Sequence, residues 1–169
     1  SLSKGETIVD TIKPLEAYHP DILVVRIASS ASLPILAKHT SASIVNAGDG
    51  KNEHPTQALL DMFTVKEGKG TLEGLNVLIV GDILHSRVAR SNIFGFTKFG
   101  SRVTVCAPPT LVPYRFEETG VEITYDFDAA IKEADVIIML RVQKERQTSA
   151  FFPSVREYAC RFALSPERL

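Results

Sequence analysis

The chain concentrates chemically capable side chains in one stretch, Asn46-Ala47-Gly48-Asp49-Gly50-Lys51-Asn52-Glu53-His54-Pro55-Thr56-Gln57-Ala58-Leu59-Leu60-Asp61. It begins where a short apolar run, Ser43-Ile44-Val45, gives out. Gly48 and Gly50 free the backbone for a positive φ or for close approach to a ligand. Pro55 suits the first position of a helix, where its missing N–H is not needed. His54 then falls at or just before the N-cap, and Gln57 lies three residues on, on the same helix face. Both side chains can address one spot, which also receives free N–H groups and the positive end of the helix dipole. The chemistry expected there is anion binding. The competing reading is a polar turn with a capping histidine.

Other cations fall near the ends of apolar runs. Lys4 and Arg26 precede this stretch; Arg87, Arg90, Arg141 and Arg146 follow it. Arg26 ends an apolar strand, where a guanidinium is costly unless it meets an anion or pairs with a nearby carboxylate. Arg141 also follows a buried run. An arginine grips a carboxylate with two parallel hydrogen bonds, and Gln143 beside it offers both a donor and an acceptor. Lys144-Glu145-Arg146 reads equally as a solvated charge run. Two clusters imply a substrate, or a pair, with anionic groups at both ends. A phosphate would sit with His54, Lys4 and Arg26, and a carboxylate with Arg87, Arg141 and Gln143.

The elements that must position these groups alternate along the chain. A helical spacing runs from Thr7 to about Tyr18, with Pro14 limiting it. Ile22–Ile27 reads as a buried strand, and Ser29 or Ser30 as the cap of a short helix through Leu36. A strand ends before Asn46, and a helix spans Pro55 to about Lys69. Asn76–Gly81, Arg102–Cys106, Val121–Thr124 and Asp135–Leu140 are further strands. Helices are expected from Arg87 to Phe99, from a cap at Asp126 or Asp128 to Glu133, and near Val155–Ala159. Such alternation predicts α/β with parallel sheets. The pattern splits near residue 70 into two βα halves bridged by the Pro55 helix. Ligands in such sheets bind beyond the carboxyl ends of the strands, and the polar residues named for the two clusters fall there.

The composition narrows the class. The 169 residues are 44% hydrophobic and 23% charged, with a net charge of −1. That balance gives no general field for nucleic acid or an anionic membrane. Cys106 and Cys160 cannot form a disulfide framework or a thiolate zinc site, and they fit a reducing cytoplasm. No transmembrane run or signal peptide is evident. Gly81-Asp82-Ile83-Leu84-His85-Ser86-Arg87 lacks G-x-G-x-x-G, which argues against NAD. No P-loop or nucleophile elbow occurs, and His39, His54 and His85 have no metal-ligand spacing.

Asn46–Gly50, His54–Asp61 and Arg141-Val142-Gln143-Lys144-Glu145-Arg146 together resemble the catalytic chain of the aspartate carbamoyltransferases. Val80-Gly81-Asp82 with Arg87 and Ser91, and Lys4-Gly5-Glu6-Thr7, fit the same family, so the resemblance covers essentially the whole chain. It implies two Rossmann-like parallel-sheet halves joined by a bridging helix, both incomplete relative to the family. Residues 1–68 would be the end of a carbamoyl-phosphate domain and residues 69–169 an aspartate domain. The implied reaction joins carbamoyl phosphate to the amino group of L-aspartate, in pyrimidine synthesis, without metal or organic cofactor. By resemblance, Arg26, His54 and Gln57 hold carbamoyl phosphate, His54 stabilising the developing oxyanion and Gln57 binding the carbamoyl amide. Arg87, Arg141 and Gln143 grip aspartate. Lys4 reaches the site of a neighbouring subunit of a homotrimer, with Ser1 or Ser3 as its serine companion. A regulatory chain is an optional further partner, and no nucleic-acid or membrane partner is implied.

The chain departs from the family at three points. A Ser-Thr-Arg-Thr phosphate loop upstream and a Pro-Leu loop with a closing helix downstream are absent, and Ile27-Ala28 stand where the family has His-Pro. The expectation is an internal fragment with little or no turnover alone. Rival readings are an ornithine carbamoyltransferase and a non-catalytic anion-binding module of the same fold.

Overall fold

The computed structural model describes residues 7–142 and 154–168. The order is α1 (Ile8–Glu16), β1 (Ile22–Ile27), α2 (Leu33–Leu36), β2 (Ser43–Asp49), α3 (Pro55–Lys69), β3 (Asn76–Val80), α4 (Arg87–Lys98), β4 (Arg102–Cys106), β5 (Glu122–Thr124), α5 (Phe127–Ala130), β6 (Val136–Met139) and α6 (Val155–Phe162). Every strand pair is parallel. β1 and β2 form one sheet, and the other has the order β5-β4-β3-β6.

β3 is apolar without interruption because both of its faces are covered. Val77 and Ile79 face α3 and α4 with Met62, Ile93 and Phe96. Leu78 and Val80 face the other way, onto Cys106, Phe127 and Phe162. From β3 the chain winds outward through β4 and β5, then returns to lay β6 on the other side of β3. The strand order reverses at β3 and β6, and in such sheets ligands bind beyond the carboxyl ends of the strands at that point. The loop after β3 and Arg141 after β6 both lie there. α3 starts at Pro55 and is closed by Gly70, whose φ of 78° suits a residue without Cβ.

Three local expectations are corrected. β2 runs to Asp49 instead of stopping before Asn46. Val25 pairs with Asn46 and Ile27 with Asp49, so β2 carries one extra residue at Ala47-Gly48. Gly48 absorbs that bulge with φ 116°. The N-cap of α2 is Ser32, not Ser29 or Ser30, and it makes no side-chain cap bond. Ser30 Oγ instead accepts from the Lys51 N–H at 3.0 Å. Finally, the segment capped by Asp126 is one α turn followed by a 3-10 turn at Ile131–Glu133.

Candidate active site

Asp49 organises the turn that carries His54. It is 1% exposed and its carboxylate takes four hydrogen bonds. Oδ1 accepts from Asn46 Nδ2 at 2.9 Å and the Glu53 N–H at 3.0 Å. Oδ2 accepts from Asn52 Nδ2 at 2.9 Å and the Ala31 N–H at 2.8 Å. Burial pushes its pKa up, but these donors outweigh burial and hold it below the ordinary carboxylate value. Asn46 is bound at both ends, since its Oδ1 accepts from the Gly48 N–H at 2.7 Å. The glycines are needed for this turn. A Cβ on Gly50 would come within 2.7 Å of the Ala28 carbonyl oxygen, at a φ of 52°.

His54 is the N-cap residue of α3, but its side chain makes no capping bond. The imidazole is therefore not consumed as a cap, which removes the support for the bland reading. Fewer helix amides are available for an anion than expected. The Gln57 and Ala58 N–H groups both donate to the His54 carbonyl, and Pro55 has no N–H. Nδ1 of His54 lies 3.1 Å from Thr56 Oγ1. Burial lowers the imidazole pKa from 6.5, and the Arg87 and Arg26 charges lower it further, against a smaller opposing effect of Asp61. Burial and two guanidinium groups thus both favour the uncharged imidazole.

Arg26 is exposed at the β1–β2 bulge and makes no ion pair among the described residues. Arg87 opens α4 behind the N-cap Ser86, whose side chain accepts from the Ala89 N–H at 3.1 Å. Its buried guanidinium lies against the turn. Nη1 is 3.4 Å from the Gly50 carbonyl, and a Cβ on Gly48 would stand 2.6 Å from Cζ. Arg87 was expected with Arg141 in the carboxylate cluster. The structure brings its charge to bear on His54. Arg141 is exposed just past β6 and is not among the charges that bear on His54. Gln57 Nε2 donates to Asp61 Oδ1 at 2.8 Å. Lys4 and Gln143 lie outside the described residues, as do Lys144 and Arg146.

Several contributors were not singled out from the sequence as site residues. Ser91, one turn beyond Arg87, accepts from the His54 N–H at 2.8 Å and donates to the Glu53 carboxylate. Asn92 donates to Asp61 Oδ2 at 2.7 Å. The spacing of Arg87 and Ser91 on one helix face was the available signal. Asp82 and His85 form a buried pair at 2.8 Å in the loop leading to Arg87. Beside them, burial and then the Asp82 charge push the Tyr158 phenol up to about 12. Among the described residues, no group of three or more His, Cys, Asp or Glu is placed to hold a metal. No described helix is long and apolar enough to cross a membrane.

The fold and site define a two-sheet α/β protein in which His54, at the start of α3, feels the charges of Arg87 on α4 and Arg26 on β1. Residues 1–67 match the carbamoyl-P binding domain of aspartate/ornithine carbamoyltransferase, and residues 73–168 match the Asp/Orn binding domain. The chain belongs to the aspartate/ornithine carbamoyltransferase family. It is 56% identical to an aspartate carbamoyltransferase catalytic subunit of Desulforapulum autotrophicum, over 100% of this chain and 54% of that protein. Among solved structures it is similar to Trypanosoma cruzi aspartate transcarbamoylase in complex with carbamoyl phosphate, with TM-score 0.80 and 29% identity over 99% of this chain and 57% of that one. The same enzyme in complex with aspartate and phosphate matches with TM-score 0.77 and 32% identity, over 88% of this chain and 52% of that one. The chain thus spans about half the length of the curated relatives it matches.

Proposed function

We propose that the protein containing this chain transfers the carbamoyl group of carbamoyl phosphate to the amino group of L-aspartate, giving N-carbamoyl-L-aspartate and phosphate. The observation that carries this reading is the placement of His54 at the start of α3, its side chain making no capping bond and lying in the field of Arg87 and Arg26. Residues 1–68 form the carbamoyl-phosphate half and residues 69–169 the aspartate half.

The reaction needs charge stabilisation and orientation more than a covalent nucleophile, because phosphate is already a good leaving group. Arg26 and the start of α3 receive the phosphate, and Gln57 meets the carbamoyl NH2 group. When the Thr56 hydroxyl donates to Nδ1, the imidazole proton sits on Nε2. Nε2–H then donates to the carbamoyl carbonyl oxygen and stabilises the negative charge that grows there during attack. The aspartate amine attacks the carbamoyl carbon unprotonated. A C–N bond forms, the C–O bond to phosphate breaks, and the amine proton passes to the departing phosphate. Arg87, Arg141 and Gln143 hold the aspartate carboxylates. Lys4 completes the site of a neighbouring subunit in a homotrimer. A regulatory chain is compatible with this assembly, and the setting is the cytoplasm.

Binding gives the direct test. Carbamoyl phosphate titrated calorimetrically into the chain is expected to bind more tightly than inorganic phosphate. L-Aspartate is expected to bind only after it, and L-ornithine not at all. Carbamoyl phosphate and phosphate binding equally, or ornithine replacing aspartate, overturns the assignment.

A further inference from the structure

The carbamoyltransferase reading gives Gln57 the task of meeting the carbamoyl NH2 group, and the role of its neighbours rests on that reading. A side-chain amide can present either its NH2 or its oxygen, and only the oxygen can accept from a carbamoyl NH2. Gln57 does not choose by itself. Its Nε2 lies 2.8 Å from Asp61 Oδ1, one turn along α3. A carboxylate can only accept, so this contact obliges the NH2 end of Gln57 to face Asp61 and turns the carbonyl the other way.

Asp61 is fixed in turn from the other half of the molecule. Asn92 on α4 donates from Nδ2 to Asp61 Oδ2 at 2.7 Å. Asn92 is fully buried, and its Oδ1 has no hydrogen-bond partner among the described residues. A buried, unpaired amide oxygen is unfavourable, and an apolar residue would fill this place more cheaply. We infer that Asp61 and Asn92 are positioning residues which lock the Gln57 amide with its oxygen toward the donor, and so select a carbamoyl group over an acyl group lacking NH2. Because Asn92 sits on α4, selection depends on how α4 docks against α3.

Substituting Asp61→Asn tests the lock. Asn92 Nδ2 would attract the new amide oxygen, leaving the new NH2 to face Gln57 and favouring the opposite amide orientation. Asn92→Leu removes the outer link and the unpaired oxygen together. Carbamoyl phosphate and acetyl phosphate, which carries CH3 in place of NH2, are titrated into the full chain and both variants, with thermal unfolding as a check of folding. For Asp61→Asn, carbamoyl phosphate affinity is expected to fall about tenfold, the size of one misdirected hydrogen bond. Acetyl phosphate affinity should change by less than about twofold, since it offers Gln57 nothing to donate. Asn92→Leu should lower the same ratio without loss of thermal stability. A ratio unchanged in both variants overturns the inference, as does an equal loss for both ligands or a wild-type chain that binds them equally. A wild-type chain that does not prefer carbamoyl phosphate to inorganic phosphate fails at the earlier step and removes the proposed function itself.

Discussion

The two halves of the molecule are held together by different means. In the second, β3 is buried from Val77 to Val80, with helices on both faces of the sheet. In the first, β1 alternates exposed and half-buried residues, and Ile22 and Val24 stand 60% and 69% open to solvent. Its buried apolar core among the described residues is Ile12, Leu33 and Leu36. The site turn belongs to this thinner half, yet it is closely tied. Polar bonds to Asp49 hold it from within, and Arg87 and Ser91 on α4 hold it from outside. The second half therefore also supplies the surface against which the first half's turn is set.

The largest expected effects probe the two cores. Phe96 is fully buried between α4 and the sheet. Phe96→Ala should cost roughly 3–5 kcal/mol through lost burial and the cavity left behind. Leu36→Ala in the thinner core should cost less, about 2–3 kcal/mol, at the low end for a buried leucine. Urea unfolding followed by far-ultraviolet circular dichroism measures both. Equal losses would mean that the two halves unfold as one cooperative unit and that the contrast in burial has no energetic consequence.

A smaller effect tests the polar hub. Asp49→Ala leaves the Ala31 and Glu53 N–H groups and two asparagine amides without their acceptor. The expected loss is roughly 2–3 kcal/mol, because unpaired buried donors cost more than an average hydrogen bond is worth. The hub also predicts a pH dependence. The folded pKa of Asp49 is lowered, so its contribution is fully present above the ordinary carboxylate value of 3.8 and is lost as pH falls through the lower folded value. In Asp49→Ala the acid limb of the stability profile should flatten. An unchanged acid limb would show that the turn is ordered by its contacts with α4 alone.

This division also explains what could be read in advance. β3 and β4 announce themselves as apolar runs, and α3 is bounded by residues with strong local preferences, Pro55 at its start and Gly70 at its end. Local chemistry decides such elements. The bulge at Ala47-Gly48 is not local, because it depends on the register against β1. Ser32 replaced Ser30 as a cap because Ser30 is engaged by Lys51, 21 residues away. The site divides in the same way. His54, Arg26 and Gln57 stand out as candidates by type and spacing. The Ser91–Glu53 and Asn92–Asp61 bonds join residues 38 and 31 positions apart and exist only once α4 docks on α3. Arg87 was legible as a candidate cation, but its closeness to Gly48 and its effect on His54 were not.

The finest test of the link between halves is the titration of His54. Its folded pKa lies below 6.5, chiefly through burial and then through Arg87. The unfolded chain therefore binds a proton at His54 at a higher pH than the folded chain does. Below pH 6.5 this difference favours unfolding, so His54 contributes full stability above that value and loses it as pH falls through the folded pKa. In a 13C–1H NMR titration the His54 ring should show a midpoint below 6.5. Arg87→Gln removes the larger of the two charge effects and should move that midpoint upward, while Arg26→Gln should move it upward by less. Inorganic phosphate at the start of α3 should also raise it, because a nearby anion favours the imidazolium. A midpoint that responds to Arg26 but not to Arg87 would mean that α4 does not bring its guanidinium to the histidine in solution, and the two halves would then carry separate sites.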